Sequence, residues 1–465
     1  MTMTAQKKDS VCSTPEDISS RSIQPSSREA NLRVIAVTAT SPKLHDDDDE
    51  QTDDDASSTV SPTSTLEYNQ ESFSSFQAKV TALILHLFPS HTERAITLER
   101  TTAGAHTRII GITLSEPQSR LPWYSVENMR AQLSACVRGR TQRPSKPKTY
   151  ILRIPRITAH NLHHQVATLT YLKHNFAAPV PSIVRFDSSA DNALGRPYML
   201  QRRLAGQPLA QLWSSLNQAQ RMCATRCIAE VVRDMAKLTS RCGGIISARN
   251  TTHDLTTGFL RVEPVPVGPG SDVTEIYAAR LAAPQTTREF LLELIERQRC
   301  YARDRGNPTF EDIWDGFVDM TNKLVDAGLI PDTDAFHLVH GDLQSRNLLF
   351  AVTSPATVRL TGVLDWDSVL FAPKFVGMCA PSFLWSGNDA DEFGEGADKA
   401  ELERVFEDVV GETFYRESYR REYALARRMF SFLVKGIRSR ADVFLCEVVL
   451  EKWAHLKSGS NQVGG

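Results

Sequence analysis

His340-Gly341-Asp342-Leu343-Gln344-Ser345-Arg346-Asn347 is the stretch on which the reading of this chain turns. Leu348-Leu349-Phe350 follows it, then the run Val358 to Leu364. Asp365-Trp366-Asp367 comes next, with Asp365 eighteen residues after Asn347. The two apolar runs predict a hairpin. Closing that hairpin brings Asp365 back beside Asn347. Gly341 lets the loop turn tightly against neighbouring backbone. Each of these residues alone reads as an ordinary polar loop residue. The combination H-G-D-L-x-x-x-N followed by D-W-D is the specific signal.

Working outward, the sequence on either side has two textures. Upstream, residues 96–114 and 149–154 read as strands, with Tyr150-Ile151-Leu152-Arg153-Ile154 alternating in the strand manner. His160 to Asn175 reads as a helix with Leu162, Val166, Leu169 and Leu172 on one face. Strands are predicted again at Ser182 to Phe186 and Pro197 to Leu200. From Gly206 onward the helical period dominates. Ile228, Val231, Val232, Met235 and Leu238 make one apolar face. Thr287–Arg299, Phe310–Ala327, Asp398–Phe414 and Ser418–Phe432 read as further helices. His337 to Val339 and Arg359 to Leu364 read as the strand pair around the cassette. The polar stretch Glu116 to Lys148 and the Pro/Gly-rich Glu263 to Gly270 read as connections. The expected architecture is α+β: a small β-rich lobe with one helix, joined across a cleft to a larger, mostly helical lobe.

At 465 residues, 41% hydrophobic and 23% charged, the chain can bury a sizeable core. No apolar run is long enough to span a bilayer, and Met1 to Ser10 lacks the apolar stretch of a secretory signal. The expectation is a cytoplasmic protein with no membrane partner. Eight cysteines without a C-x-x-C pair read as free thiols. Residues 1–72 hold 6 Lys/Arg against 14 Asp/Glu, leaving 47 against 41 for the remainder. With few apolar residues and the run Asp46 to Glu50, this leader reads as a disordered tail. The body is mildly basic, without the clustered stripe that nucleic acid requires. The expected division is tail 1–72, small lobe 73–205, large lobe 206–457 and a flexible end 458–465.

Asp342, Asn347 and Asp365 suit one chemistry. Phosphoryl transfer from ATP needs a carboxylate to take the proton of the attacking hydroxyl. It also needs hard oxygen ligands for Mg²⁺, whose charge offsets the triphosphate. An Asp and an Asn five residues apart, with a second Asp at a strand end, supply that set.

The chain resembles the aminoglycoside phosphotransferase / choline kinase-like superfamily, in its fungal form. The residues that carry the resemblance are His340 to Asn347, Gly362-Val363-Leu364-Asp365-Trp366-Asp367, Pro373 and Pro381-Ser382-Phe383-Leu384-Trp385. Weaker matches are Tyr150 to Arg156, Asn192 to Tyr198 and Leu200 to Gly206, so the likeness runs from about residue 75 to 455. It implies a bilobal protein-kinase-like fold, ATP and Mg²⁺ as cofactors, and a small-molecule hydroxyl acceptor. It implies Asp342 as base, Asn347 and Asp365 as Mg²⁺ ligands, and His340 as a support beneath the loop. It implies that Leu200 to Arg203, with Gln201 and Arg203, receives the adenine, and that Thr101 to His106, with Gly104, covers the phosphates.

Two positions depart from the family pattern. Arg153 stands where a phosphate-binding Lys is usual, and Gln165 where its Glu partner is usual. A guanidinium still binds phosphate through its forked donors, and Gln165 can orient that fork. A solvent-facing Arg153 and a degenerate site stay open as readings of the same pair. Asp389, Asp391 and Glu392 read either as a solvated loop or as partners of a cationic acceptor. The alternative for the whole chain is a pseudokinase-type binding or regulatory module. A protein kinase is disfavoured by H-G-D and by the lack of an A-P-E segment.

Overall fold

Strict alternation builds the smaller lobe. The computed structural model describes residues 71–101, 107–115, 147–156, 160–248, 260–267, 281–304, 310–385 and 396–460. Five antiparallel strands form one sheet in the order β1-β2-β3-β5-β4: β1 (Ile96–Arg100), β2 (Thr107–Leu114), β3 (Lys148–Pro155), β4 (Ile183–Asp187) and β5 (Tyr198–Arg202). Successive strand side chains point to opposite faces. Ile110, Ile112 and Leu114 of β2, Tyr150, Leu152 and Ile154 of β3, and Tyr198 and Leu200 of β5 are therefore buried together. Helix α1 (Phe73–Leu87) closes that face with Phe76, Val80, Leu83 and Ile84. Truncating a fully enclosed member such as Leu152 to Ala costs about 2–5 kcal/mol. The same alternation leaves Arg153 on the opposite face.

Helix α1 was not evident from the sequence, and its N-cap lies inside the expected tail. Ser72 Oγ accepts from Ser75 N at 3.3 Å, and Glu71 pairs with Lys79 at 2.6 Å. Helix α2 (His160–Asn175) has the predicted bounds but a different allegiance. The sequence assigns it to the small sheet; the structure buries Leu162, Val166, Leu169 and Leu172 in the main core, which joins Phe186 of β4 and Met199 of β5 to the larger lobe. The reason is that α1 already covers the apolar face of the sheet.

The larger lobe begins at Gly206, where φ is +105°. A Cβ there would lie 2.2 Å from Thr361 Oγ1 and 2.8 Å from Phe350 O, so only glycine lets the connection pass. The chain continues through β6 (Gln207–Pro208), α3 (Leu209–Leu212), α4 (Gln218–Met235), β7 (Thr239–Ser240), β8 (Ile245–Ala248) and β9 (Leu260–Glu263). Helices α5 (Thr287–Asp304) and α6 (Glu311–Asp326) lead to β10 (Phe336–Val339), β11 (Leu348–Val352), β12 (Val358–Val363) and β13 (Leu370–Pro373). Five helices close the lobe: α7 (Lys374–Gly377), α8 (Gly396–Val410), α9 (Glu412–Ser418), α10 (Arg421–Lys435) and α11 (Arg440–Ser460). The whole is the two-lobed, protein-kinase-like α+β fold.

The structure corrects several details. Strand β10 pairs with β13 and β7, while β12 pairs with β11, so the expected strand pair around the cassette is two different pairs. The apolar face ending at Leu238 overruns α4, which stops at Met235. The helix expected over Asp398–Phe414 breaks at Gly411, whose φ is +90°. Helix α11 runs through the expected flexible end to Ser460. Among the described residues, no helix is long and apolar enough to cross a membrane.

Candidate active site

The cassette occupies the turn between β10 and β11. Gly341 has φ +80°, and a Cβ there would sit 2.5 Å from Ser368 O. The loop can pass that close only with glycine. Beneath it, His340 is fully enclosed. Its Nε2 donates to Leu364 O at 2.9 Å, while its Nδ1 accepts from Asp342 N at 3.3 Å. That pattern requires the neutral ring. Burial pushes the His340 pKa below the usual histidine value, against the opposing pull of Asp365 and the Leu364 carbonyl. The ring lies 4.4 Å from that of Trp366, whose Nε1 donates to Val363 O. Trp366 is thus a core residue, and His340 ties the loop carrying Asp342 to the one carrying Asp365.

The hairpin geometry expected from the spacing is present. Leu348 faces Val363 across β11 and β12, and Leu364 N donates to Asn347 O at 2.8 Å. Asp365 is thereby brought beside Asn347. It is the sole non-glycine residue with positive φ among those described, at φ 64° and ψ 55°. Holding an L-residue there costs about 1–2 kcal/mol, a strain that typically marks functional positions. Asn347 Nδ2 donates to Asp342 O at 2.8 Å and to Asp342 Oδ2 at 3.0 Å. With its amide nitrogen committed, Asn347 Oδ1 remains as its acceptor atom.

A residue that the sequence reading missed grips Asp342. Arg346 Nη2 lies 2.7 Å from both carboxylate oxygens of Asp342. The signal was available: an acid four residues before an Arg is a pairing distance in one helical turn. Lys435, in the last turn of α10, is exposed. Desolvation lowers its pKa, and the Asp342 carboxylate opposes that shift most strongly.

Arg153 reaches this assembly from the other lobe. Its Nη2 lies 2.5 Å from Asp367 Oδ2 and 3.6 Å from Asp365 Oδ1. The expected coupling to Gln165 is not what orients it. Gln165 is buried on α2 and makes no hydrogen bond to Arg153. The second carboxylate of D-W-D supplies the counter-charge that a neutral amide cannot. A solvent-facing Arg153 is likewise excluded, since its side chain is only 12% exposed.

The backbone of the segment expected to receive adenine is partly taken up by neighbouring strands. Arg202 N and Arg203 N donate to Ser182 O and Thr149 O, at 2.9 and 3.1 Å. The Arg203 side chain turns to Glu99 at 2.5 Å, and Gln201 is buried with Nε2 3.5 Å from Met199 Sδ. The first N–H after β5 that no backbone carbonyl takes, among the described residues, belongs to Leu204. Of the expected phosphate-covering turn, Thr102 to His106, with Gly104, lie outside the described residues, as do Asp389, Asp391 and Glu392.

Comparison with known proteins agrees with this geometry. The model of the phosphotransferase enzyme family (APH) matches residues 138–375. A subtelomeric hrmA-associated cluster protein of Aspergillus fumigatus is 22% identical over 297 residues, covering 52% of this chain and 57% of that protein. The match thus spans little more than half the length of that curated relative. Two solved structures are also similar to this chain. Aminoglycoside phosphotransferase APH(4)-Ia, in ternary complex with ADP and hygromycin B, is 16% identical and has a TM-score of 0.41. That match covers 81% of this chain and 98% of the other. The GDP complex of aminoglycoside 2'-phosphotransferase-IIIa is 14% identical, with a TM-score of 0.43. It covers 82% of this chain and 99% of the other.

Proposed function

Because this chain belongs to the phosphotransferase enzyme family, we propose that it moves the γ-phosphoryl group of ATP to a hydroxyl of a small molecule in a Mg²⁺-dependent reaction. One observation carries the reading. A carboxylate gripped by Arg346 and Asn347 stands beside two further oxygen donors, on loops that His340 locks together.

The steps follow from the residues. Asp342 accepts the proton of the acceptor hydroxyl as its oxygen bonds to the γ-phosphorus. The bond from that phosphorus to the β,γ-bridging oxygen breaks, and ADP leaves with the electron pair. Arg346 and Asn347 hold the Asp342 carboxylate in one orientation, so no reorganisation is needed at the moment of transfer. Arg153, fixed on one side by Asp367, offers its remaining donors to the α/β-phosphates. Leu204 N–H is placed to receive the purine edge.

The donor set fits Mg²⁺. Asn347 Oδ1 and the Asp365 carboxylate, whose side chain is 44% exposed, are hard oxygen ligands. Among the described residues no cluster of three or more His, Cys, Asp or Glu could hold a metal by itself. The ion is therefore expected to arrive with the nucleotide, and when bound it offsets the triphosphate charge.

The test is ADP formation with a panel of hydroxyl compounds, with and without Mg²⁺, beside Asp342→Asn. Turnover in the variant should fall by about 10²–10⁴, the usual worth of a positioned base, with nucleotide affinity kept. Full turnover in Asp342→Asn refutes the base. Magnesium-dependent ATP binding with no transfer to any acceptor would make the chain a binding module instead.

A further inference from the structure

We infer that the acceptor is a hydroxyl compound with one compact ring, and that the ring seats against Leu209, Trp213 and Phe383. This deepens the proposed function and rests on its assignment of Asp342 as base. A cavity of about 150 Å³ opens there between α3, the turn that follows it and the segment Ser382–Leu384. Leu209, Trp213 and Leu384 form buried walls. Half-buried Phe383 and exposed Ala210 lie toward the mouth.

Position links the cavity to the chemistry. Ser345 lines it, three residues after Asp342 on the same loop. At about 3.8 Å per Cα step, the two Cα atoms are no more than about 11 Å apart. A ring with a hydroxyl on a short arm spans such a gap. Size limits the occupant: a void of about 150 Å³ takes a single benzene-sized ring. The lining combines the apolar side chains with polar surface that includes Ser214 and Ser345, the mixture a ring bearing a hydroxyl requires.

The test uses 2-phenylethanol, 3-(4-hydroxyphenyl)propionate and the two-ring amino sugar neamine. Binding is read by ligand-observed NMR, and turnover by ADP formation with the full chain. At about 10 mM probe, even millimolar affinities register. At least one aromatic probe should bind, and neamine should not. Ala210→Trp, a substitution at an exposed helical position, should raise the KM of the aromatic probe by about tenfold or more while kcat moves far less. Phe383→Ala provides a second, independent perturbation of the same contact. Turnover of neamine with the aromatic probes unbound overturns the inference, as does an aromatic KM unmoved by both variants. Binding is also measured in Asp342→Asn. If probes seat there and Ala210→Trp expels them, yet wild type transfers no phosphate, the pocket stands and the phosphotransfer reading falls. If ATP is consumed while no aromatic probe seats, the reading stands and the pocket falls.

Discussion

Replacing Asp367 with Asn should turn Arg153 against the metal site. In the native arrangement Arg153 Nη2 is 2.5 Å from Asp367 Oδ2 and 3.6 Å from Asp365 Oδ1. The cation is thus shared unequally, with Asp367 as the dominant partner. A charge-assisted hydrogen bond is worth about 1.5–3 kcal/mol, and the 27% exposure of Asp367 argues for the low end of that range. Once Asp367 is neutral, that preference is lost and Arg153 closes on Asp365. Mg²⁺ must then displace a guanidinium from the carboxylate that would hold it. A penalty of about 1.4 kcal/mol corresponds to roughly a tenfold higher Mg²⁺ requirement. The assay is a Mg²⁺ titration of ATP binding by calorimetry and of ADP formation, in wild type and Asp367→Asn. Excess Mg²⁺ should restore most of the lost turnover, because the base and its grip by Arg346 are untouched. An unchanged Mg²⁺ midpoint, or a defect that Mg²⁺ does not rescue, would refute the competition. Gln165→Glu provides the converse check. If α2 does not orient Arg153, an added carboxylate there should leave the titration where it was.

Two further outcomes follow. Gly341→Ala places a Cβ 2.5 Å from Ser368 O on a backbone with φ +80°, so it should lower Tm and reduce turnover by about 10²-fold through displacement of Asp342, as read by thermal unfolding and initial rates. Acid should destabilise the fold through His164, His337 and His340, whose pKa values burial holds below the ordinary histidine value. The unfolded chain then binds more protons than the folded one, so stability is full well above the ordinary histidine value of about 6.5 and falls as pH drops through it. Urea unfolding on both sides of that value measures it, and a flat or opposite trend rejects the neutral assignment of these rings.

The parts of the site that could be read from sequence are those set by local spacing. The hairpin that returns Asp365 to Asn347 needs only two apolar runs and a turn, and the Leu364 N to Asn347 O bond is its direct result. The pairing of Arg153 was not legible, because its partner lies 214 residues away in the other lobe. Helix α11 escaped notice because its buried residues, Cys446, Val449 and Trp453, form a thin stripe on an otherwise polar segment. Helix α2 was found at its true bounds, but its packing against the larger lobe was not legible, because periodicity reports which face is apolar and not what covers it. The Leu204 N–H emerged only when the hydrogen bonds of Arg202 and Arg203 were accounted for, a tally that needs the register of neighbouring strands.

The allegiance of α2 has a mechanical consequence. A helix beside the nucleotide cleft can act as a lever only if swinging it is cheap. Pulling α2 outward would expose Leu162, Val166, Leu169 and Leu172 and break the contact between His164 and Ile246 O. At about 1.5–3 kcal/mol for each buried side chain, that comes to roughly 6–12 kcal/mol, comparable with the entire stability of a typical domain. Such a helix is a fixed beam. Its burial thus fixes α2 against the rest of the core.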